Sequence, residues 1–334
     1  MPPRHYGPWE LFASLLTEGL VARGHDVTLF ASGDSLTSAR LCSVVPHGWS
    51  EDATLDPKVA ECLHIAQVFE RADQFDVIHN GFDFLPLTYS GLIRTPVVTT
   101  IHGFSSEKIL PVYVSYNGRS SYVAISDADR HPALDYIATI HHGIDTRAFT
   151  FAPSSGNYLA FFGRIHPDKG VVEAIDTAVA AGVPLKLAGI IQDQAYFETQ
   201  VAPRLVDDRV QFVGPVRAED RSAFLGGALA LLHLINFDEP FGFSVVEAMA
   251  CGTPVVAFDR GSMRELIEEG TTGRLVRDVA GAVDAVAHIG TLDRPAIRMQ
   301  AVARFGHDRM VDAYVAVYRQ VVAAGPGGQS AERA

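Results

Sequence analysis

The chain reads as an α/β protein made of two doubly wound, Rossmann-like domains that face a central cleft. Three observations predict this. The length, 334 residues, suits about two domains, each with its own core. Short Val/Ile/Leu/Thr runs alternate with helical stretches, and they do so in two successive series. Between the series lies a segment at 146–157 carrying Pro153, Ser154, Ser155 and Gly156, a composition suited to a connection. The expected division is a first domain at 1–150, a second at 151–304, a last helix at 305–323 returning to the first domain, and a disordered tail at 324–334.

The first helix is expected over residues 9–23, where Leu11, Phe12, Leu15, Leu16 and Leu20 share one face and Gly24 follows as a stop. Strands follow at 26–31 (DVTLFA), 75–79 (FDVIH), 96–101 (PVVTTI) and 122–125 (YVAI), with a helix over 56–72. Continuous β-branched runs of this kind suit a parallel sheet covered on both faces. In the second series, strands are expected at 158–163, 185–188, 210–213, 229–234 and 254–257. Helices are expected at 171–181, 195–205, 218–224 and 244–249, and the last one places Met310, Ala313, Tyr314, Val317 and Val321 near helical spacing. In such a fold a ligand binds at the carboxyl ends of the strands.

Lys and Arg number 27 against 39 Asp and Glu, a formal net charge of -12. That balance repels a phosphate backbone and argues against a nucleic-acid partner. Cys42, Cys62 and Cys251 show no CxxC spacing, which fits reduced thiols and a cytoplasmic protein. No secretory signal is read at residues 1–10, and the longest strongly apolar stretch, 228–235, is far shorter than the roughly 20 residues of a membrane span. Peripheral contact with a membrane stays open.

The strongest chemical signal is EPFGFSVVEAMACGTP at 239–254, where a glycine-containing turn opens a helix and two glutamates stand eight positions apart. Free N–H groups at such a turn, at the positive end of the helix dipole, suit an anionic or hydroxyl-rich ligand. Glu239 precedes the turn and Glu247 lies about one turn inside the helix, so they can address opposite ends of an elongated ligand. A carboxylate that accepts from two vicinal hydroxyls holds a ribose or hexose. On spacing alone, both residues could equally be solvated charges. The second signal is FFGRIHPDKG at 161–170, directly after a strand. Arg164 and Lys169 in this turn can close on a diphosphate, Arg through its planar fork and Lys as a point charge. Exposed cations remain the alternative.

Together these motifs resemble the retaining glycosyltransferases of family 4, which have the GT-B fold. The resemblance runs through nearly the whole chain, from the segment starting PPRHYGPWELF through HNGFDFLP, TTIHGF, AISDADR and HHGIDTRAF to FFGRIHPDKG, FVGPV and EPFGFSVVEAMACGTPVVAFDRGSMRELIEEGTTGRLV. It implies a hexosyltransferase that takes a nucleoside diphosphate sugar, UDP-glucose or a related hexose, mainly on the second domain. The acceptor, a small molecule, glycan or lipid-linked hydroxyl, is implied to bind mainly on the first. Arg164 and Lys169 match the residues that neutralise the diphosphate, Glu247 the one that holds the ribose hydroxyls, and Glu239 the one that faces the donor sugar. Backbone groups of Phe241, Gly242, Phe243 and Ser244 lie nearby in that pattern. His102 matches a histidine that contacts the transferred hexose, and Gly7 belongs to a glycine-rich loop that approaches the diphosphate. No cofactor or metal is expected, because two cations and a helix N-terminus can supply the electrostatics.

Two departures stand out. The short strand that usually precedes the glycine-rich loop is missing from the first domain, and where the family reads Tyr-Gly-Gly-x-Glu this chain reads Tyr6, Gly7, Pro8, Trp9, Glu10. Proline offers no N–H but suits the first position of a helix. A chain that binds nucleotide sugar with impaired or no transfer, and a nucleotide-sugar epimerase on the same fold, are the alternatives these departures leave.

Overall fold

The computed structural model describes residues 1–2, 7–48, 52, 54–104, 106–205 and 209–325; Tyr6 and most of the expected tail lie outside them. The chain divides into two compact units, Met1–Gly143 with His307–Ala334, and Ile144–Gly306. The boundary falls before 150 because residues 144–149 are held from the second unit: Arg298 donates to the carbonyls of Thr146 and Phe149, and Ser222 to that of Ala148.

The first unit opens with helix α1 (Pro8–Ala22), capped by Gly7 and with Pro8 in the first turn. Its missing N–H costs nothing there, since the first helical donors lack intrahelical acceptors anyway. The buried face of α1, Phe12 and Leu16, packs with Val98, Val123 and Ile140 and with Met310, Val311 and Tyr314 of the final helix, His307–Ala324. Each large side chain buried here contributes about 1.5–3 kcal/mol. Strands β1 (Thr28–Phe30) and β2 (Arg40–Cys42) pair in parallel. Helix α2 (Pro57–Phe69) starts at Asp56, whose carboxylate accepts from the Val59 N–H. Strands β3 (Ile78–Asn80), β4 (Val97–Ile101), β5 (Ser120–Ala124) and β6 (Tyr136–Thr139) form a second parallel ladder in sequence order, with short helices α3 (Leu87–Ser90) and α4 (Leu110–Ser115) between them. All five residues of β4 and of β5 are buried, as the continuous apolar runs predicted. Among the described residues no strand joins β1 to β3, so the parallel strands of this unit form two separate ladders.

The second unit carries six parallel strands in the order β12-β11-β10-β7-β8-β9. They are β7 (Leu159–Phe162), β8 (Leu185–Ala188), β9 (Val210–Gly214), β10 (Ala230–His233), β11 (Val255–Phe258) and β12 (Gly273–Val276). The chain moves outward from β7 to β9, returns to β10 beside β7, and then moves the other way. That reversal places the topological switch point between β7 and β10. Helices α5 (Val171–Ala181), α6 (Gln194–Tyr196), α7 (Ala218–Gly226), α8 (Phe243–Ala250), α9 (Met263–Leu266), α10 (Val279–Ile289) and α11 (Arg294–Phe305) connect and flank the strands, and the final helix is α12.

Three expectations need correction. The helix expected at 195–205 breaks into one turn of α6, a π-turn at Phe197–Val201 and a 3-10 turn at Ala202–Arg204, since Pro203 removes an amide donor. The final helix starts at His307: Phe305 ends α11, and Gly306 is extended between the two. Strands β2, β6 and β12 and helices α10 and α11 were not anticipated, because their apolar runs are short or interrupted by charge.

Arg294 staples the second unit. It is 8% exposed and donates to the carbonyls of Ala152, Ala228 and Gly226 and to the Thr253 hydroxyl. Replacing it with Met leaves these acceptors buried without a donor. We expect Arg294→Met to cost about 3 kcal/mol of stability, read as a lower urea midpoint at unchanged m-value. An unchanged midpoint would mean that water replaces the guanidinium at no cost.

Candidate functional site

At the switch point of the second unit, the loops after β7 and β10 and the N-terminus of α8 bring most of the expected residues together. Gly163 and Arg164 follow β7, and Lys169 closes the 3-10 turn Pro167–Lys169 before α5. The Lys169 Nζ donates to Glu239 Oε2 at 2.6 Å, with side-chain exposures of 12% and 17%, so this pair is largely screened from water. The same ammonium lies over the Phe237 ring, 4.6 Å from its centre. Arg164 donates through Nη1 to Gln192 Oε1, while its Nε is buried with no partner.

Helix α8 begins after Gly242, whose φ of +116° is left-handed and whose added Cβ would lie 2.9 Å from Met263 Cε. The turn therefore requires glycine. Phe241 and Phe243 make an edge-to-face contact at 5.3 Å. Ser244 Oγ lies 3.3 Å from His233 Nδ1, and burial pushes His233 down to about 4, so it is neutral. One turn into α8, Glu247 is 4% exposed. The reading of Glu247 as a solvated charge is excluded by this burial. Arg221 Nη1 of α7 donates to Glu247 Oε1 at 2.8 Å. Burial raises the Glu247 carboxyl's pKa, and the Arg221 guanidinium opposes that rise.

Arg221 was not anticipated. It lies in AEDRSAF, a helix with no motif of its own, and only its packing against α8 reveals it.

In the first unit, Gly7 caps α1 and His102 follows β4. His102 is enclosed by rings: Trp9 stacks on it at 5.7 Å, Phe12 meets it edge-on at 4.8 Å, and His142 lies parallel at 5.1 Å. His102 Nδ1 and His142 Nε2 are 3.3 Å apart. His142, given no role in the sequence reading, thus contacts the candidate histidine. Among the described residues, no group of three His, Cys, Asp or Glu side chains is placed to hold a metal ion.

Burial keeps three histidines of the first unit neutral, with His79 on β3 and His142 pushed down to about 3 and His102 well below its ordinary range. An unfolded histidine takes up a proton near pH 6.5, while the folded forms do not until far lower. Stability is therefore full above that value and lost as pH falls toward the folded values. At pH 5 the loss is about 2 kcal/mol for each of His79 and His142. Thermal unfolding at pH 7 and pH 5 should show it, with a smaller drop in His142→Asn; a midpoint independent of pH would refute neutral burial.

The chain matches two family models, Glycosyltransferase Family 4 over residues 10–148 and Glycosyl transferases group 1 over residues 145–292. The chain belongs to glycosyltransferase family 4. Its fold is GT-B, as in AviGT4, a glycosyltransferase involved in avilamycin A biosynthesis, which is 25% identical with a TM-score of 0.72 over 97% of this chain and 93% of that one. Anabaena HepE, solved in complex with UDP and glucose, is 20% identical with a TM-score of 0.72 over 95% and 97%. The D-inositol 3-phosphate glycosyltransferase of Mycolicibacterium smegmatis is 30% identical over 224 residues, 60% of this chain and 50% of that protein. The chain thus spans about half the length of the curated relatives it matches. No helix among its described residues is long and apolar enough to cross a membrane.

Proposed function

We propose that this glycosyltransferase moves a hexose from a nucleoside diphosphate sugar, UDP-glucose or a close relative, to an acceptor hydroxyl, with retention at the anomeric carbon and without a metal ion. The observation that carries this reading is the assembly at the β7/β10 switch point. Two cations on the loop after β7, Arg164 and Lys169, share one end of the sheet with Glu239 and with the buried Glu247 of α8. A diphosphate needs the first pair, and a sugar or ribose the second. The HepE complex with UDP and glucose gives further support for a donor of this class.

In this reading the bond between the anomeric carbon and the diphosphate oxygen breaks, through an oxocarbenium-like state. Lys169 and Arg164 stabilise the charge growing on the departing diphosphate. The acceptor oxygen bonds to the same face of the anomeric carbon, and its proton passes to a phosphate oxygen of the leaving group. Lys169 is already paired with Glu239, so a bound diphosphate would compete for the ammonium and free Glu239 toward the sugar. Glu247 would hold the ribose, and the backbone from Phe241 to Ser244 would line the turn. The test is a transfer assay with a panel of nucleotide sugars and hydroxyl acceptors, with the product anomer read by NMR and EDTA present in a parallel series. An inverted product or abolition by EDTA would overturn the corresponding part.

A further inference from the structure

The functional reading explains why Glu247 is present but not what keeps a carboxylate usable at 4% exposure. An isolated buried carboxylate takes up a proton rather than remain charged in an apolar setting. A protonated acid can accept only weakly from a pair of hydroxyls, and it is free to rotate.

Arg221 answers both difficulties. Its Nη1 holds Glu247 Oε1 at 2.8 Å, its guanidinium carbon lies 5.3 Å from the centre of the Phe162 ring at the end of β7, and the arginine side chain is 28% exposed against 5% for the glutamate. The guanidinium plane is thus fixed on two sides, by an aromatic face and by a carboxylate. Its Nε is buried and carries no partner, so one donor is left over at the same place. The neighbouring charges are all committed elsewhere. On α11, Arg294 and Arg298 donate to backbone carbonyls. Just before α7, Arg217 pairs with Glu219 and Asp220 of its first turn. His233 of β10 is neutral, and the Cys251 thiol after α8 is pushed up to about 11. Arg221 is the cation that faces Glu247.

We propose that Arg221 is a positioning residue for the nucleoside half of the donor site: it clamps the Glu247 carboxylate in one orientation, with Oε2 left to accept from vicinal ribose hydroxyls, and so sets the discrimination between ribose and 2′-deoxyribose. The proposal rests on the reading of Glu247 as the ribose-holding residue.

The experiment is calorimetry of the intact chain against UDP, ADP and GDP, followed by the 2′-deoxy counterpart of the tightest binder. The wild type should prefer the ribonucleotide by about 10- to 100-fold, the range for a hydrogen bond to a charged group. Arg221→Met should lower that preference to about 3-fold or less by the same reasoning. In this variant the preference should depend on pH more strongly than in the wild type, recovering as pH rises, because burial raises the Glu247 carboxyl and the guanidinium that opposes that rise is gone. Arg221→Lys, which keeps the charge but not the fork, should fall between them. Should Arg221→Met fail to fold, the lysine variant carries the test, and unchanged discrimination in it overturns the proposal. Glu247→Gln separates the two layers. If it leaves the ribose preference intact, the reading of Glu247 is wrong. If it abolishes the preference while both Arg221 variants retain it, Glu247 is correct and the role of Arg221 is refuted.

Discussion

Replacing Lys169 by alanine is expected to lower kcat/KM for the nucleotide-sugar donor by about 10²–10³-fold, the usual consequence of removing one well-placed donor from a site where charge develops. The ammonium is 12% exposed and held between the Glu239 carboxylate and the Phe237 ring, so its position is set before any ligand arrives. Preorganisation of this kind acts on the transition state more than on the ground state. The loss should therefore fall mainly on kcat, with a smaller weakening of nucleoside diphosphate affinity. Lys169→Arg should recover part of the rate, because the charge remains while the point-like ammonium is lost. The variant also leaves Glu239 without its cation, so circular dichroism and a melting curve must accompany the kinetics. A folded Lys169→Ala enzyme within about 3-fold of wild type would remove this residue from the mechanism.

The neighbouring residue gives the largest expected effect on stability. Gly170 has a φ of +69°, and a Cβ added to it would lie 1.7 Å from the Leu234 carbonyl oxygen and 2.5 Å from its carbon. The backbone after β10 passes directly over this position, which is how the loop after β7 and the loop after β10 come close enough for Lys169 to reach Glu239. Gly170→Ala therefore combines left-handed strain with a clash against main chain that cannot rotate away. We expect a loss of about 4 kcal/mol or more, at the extreme of single substitutions. For comparison, Gly182, with a φ of +67°, has nothing within 4 Å of the added Cβ, and Gly182→Ala should cost only about 1 kcal/mol. Urea unfolding of the two variants side by side tests the contact argument. Equal losses would show that φ alone, and not the approach of Leu234, governs the position.

Much of this protein is decided locally. The helix α5 and strand β8 lie where the apolar pattern puts them, because a buried strand needs a continuous run and an amphipathic helix a 3.6-residue period, both visible in a few residues. The α8 turn and its two glutamates were equally readable, since a helix start after glycine is a local event. Strands β6 and β12 were not. Tyr136–Thr139 and Gly273–Val276 are half-buried edge segments whose strand state comes from pairing with a neighbour rather than from their own pattern.

The sequence by itself determined the α/β architecture, the family and the positions of Arg164, Lys169, Glu239 and Glu247, because each rests on residue order and spacing. Only the tertiary structure decided what these groups meet. Lys169 and Glu239 are separated by 70 positions, and Glu247 and Arg221 by 26. His102 and His142 are 40 apart. Such pairs arise when parallel strands bring loops from distant parts of the chain to one end of a sheet, and burial then turns a glutamate that could have been a solvated charge into a clamped carboxylate. No run of neighbouring residues records that outcome, since the energy that fixes it belongs to the packing of α7 against α8 and of the loop after β7 against the loop after β10.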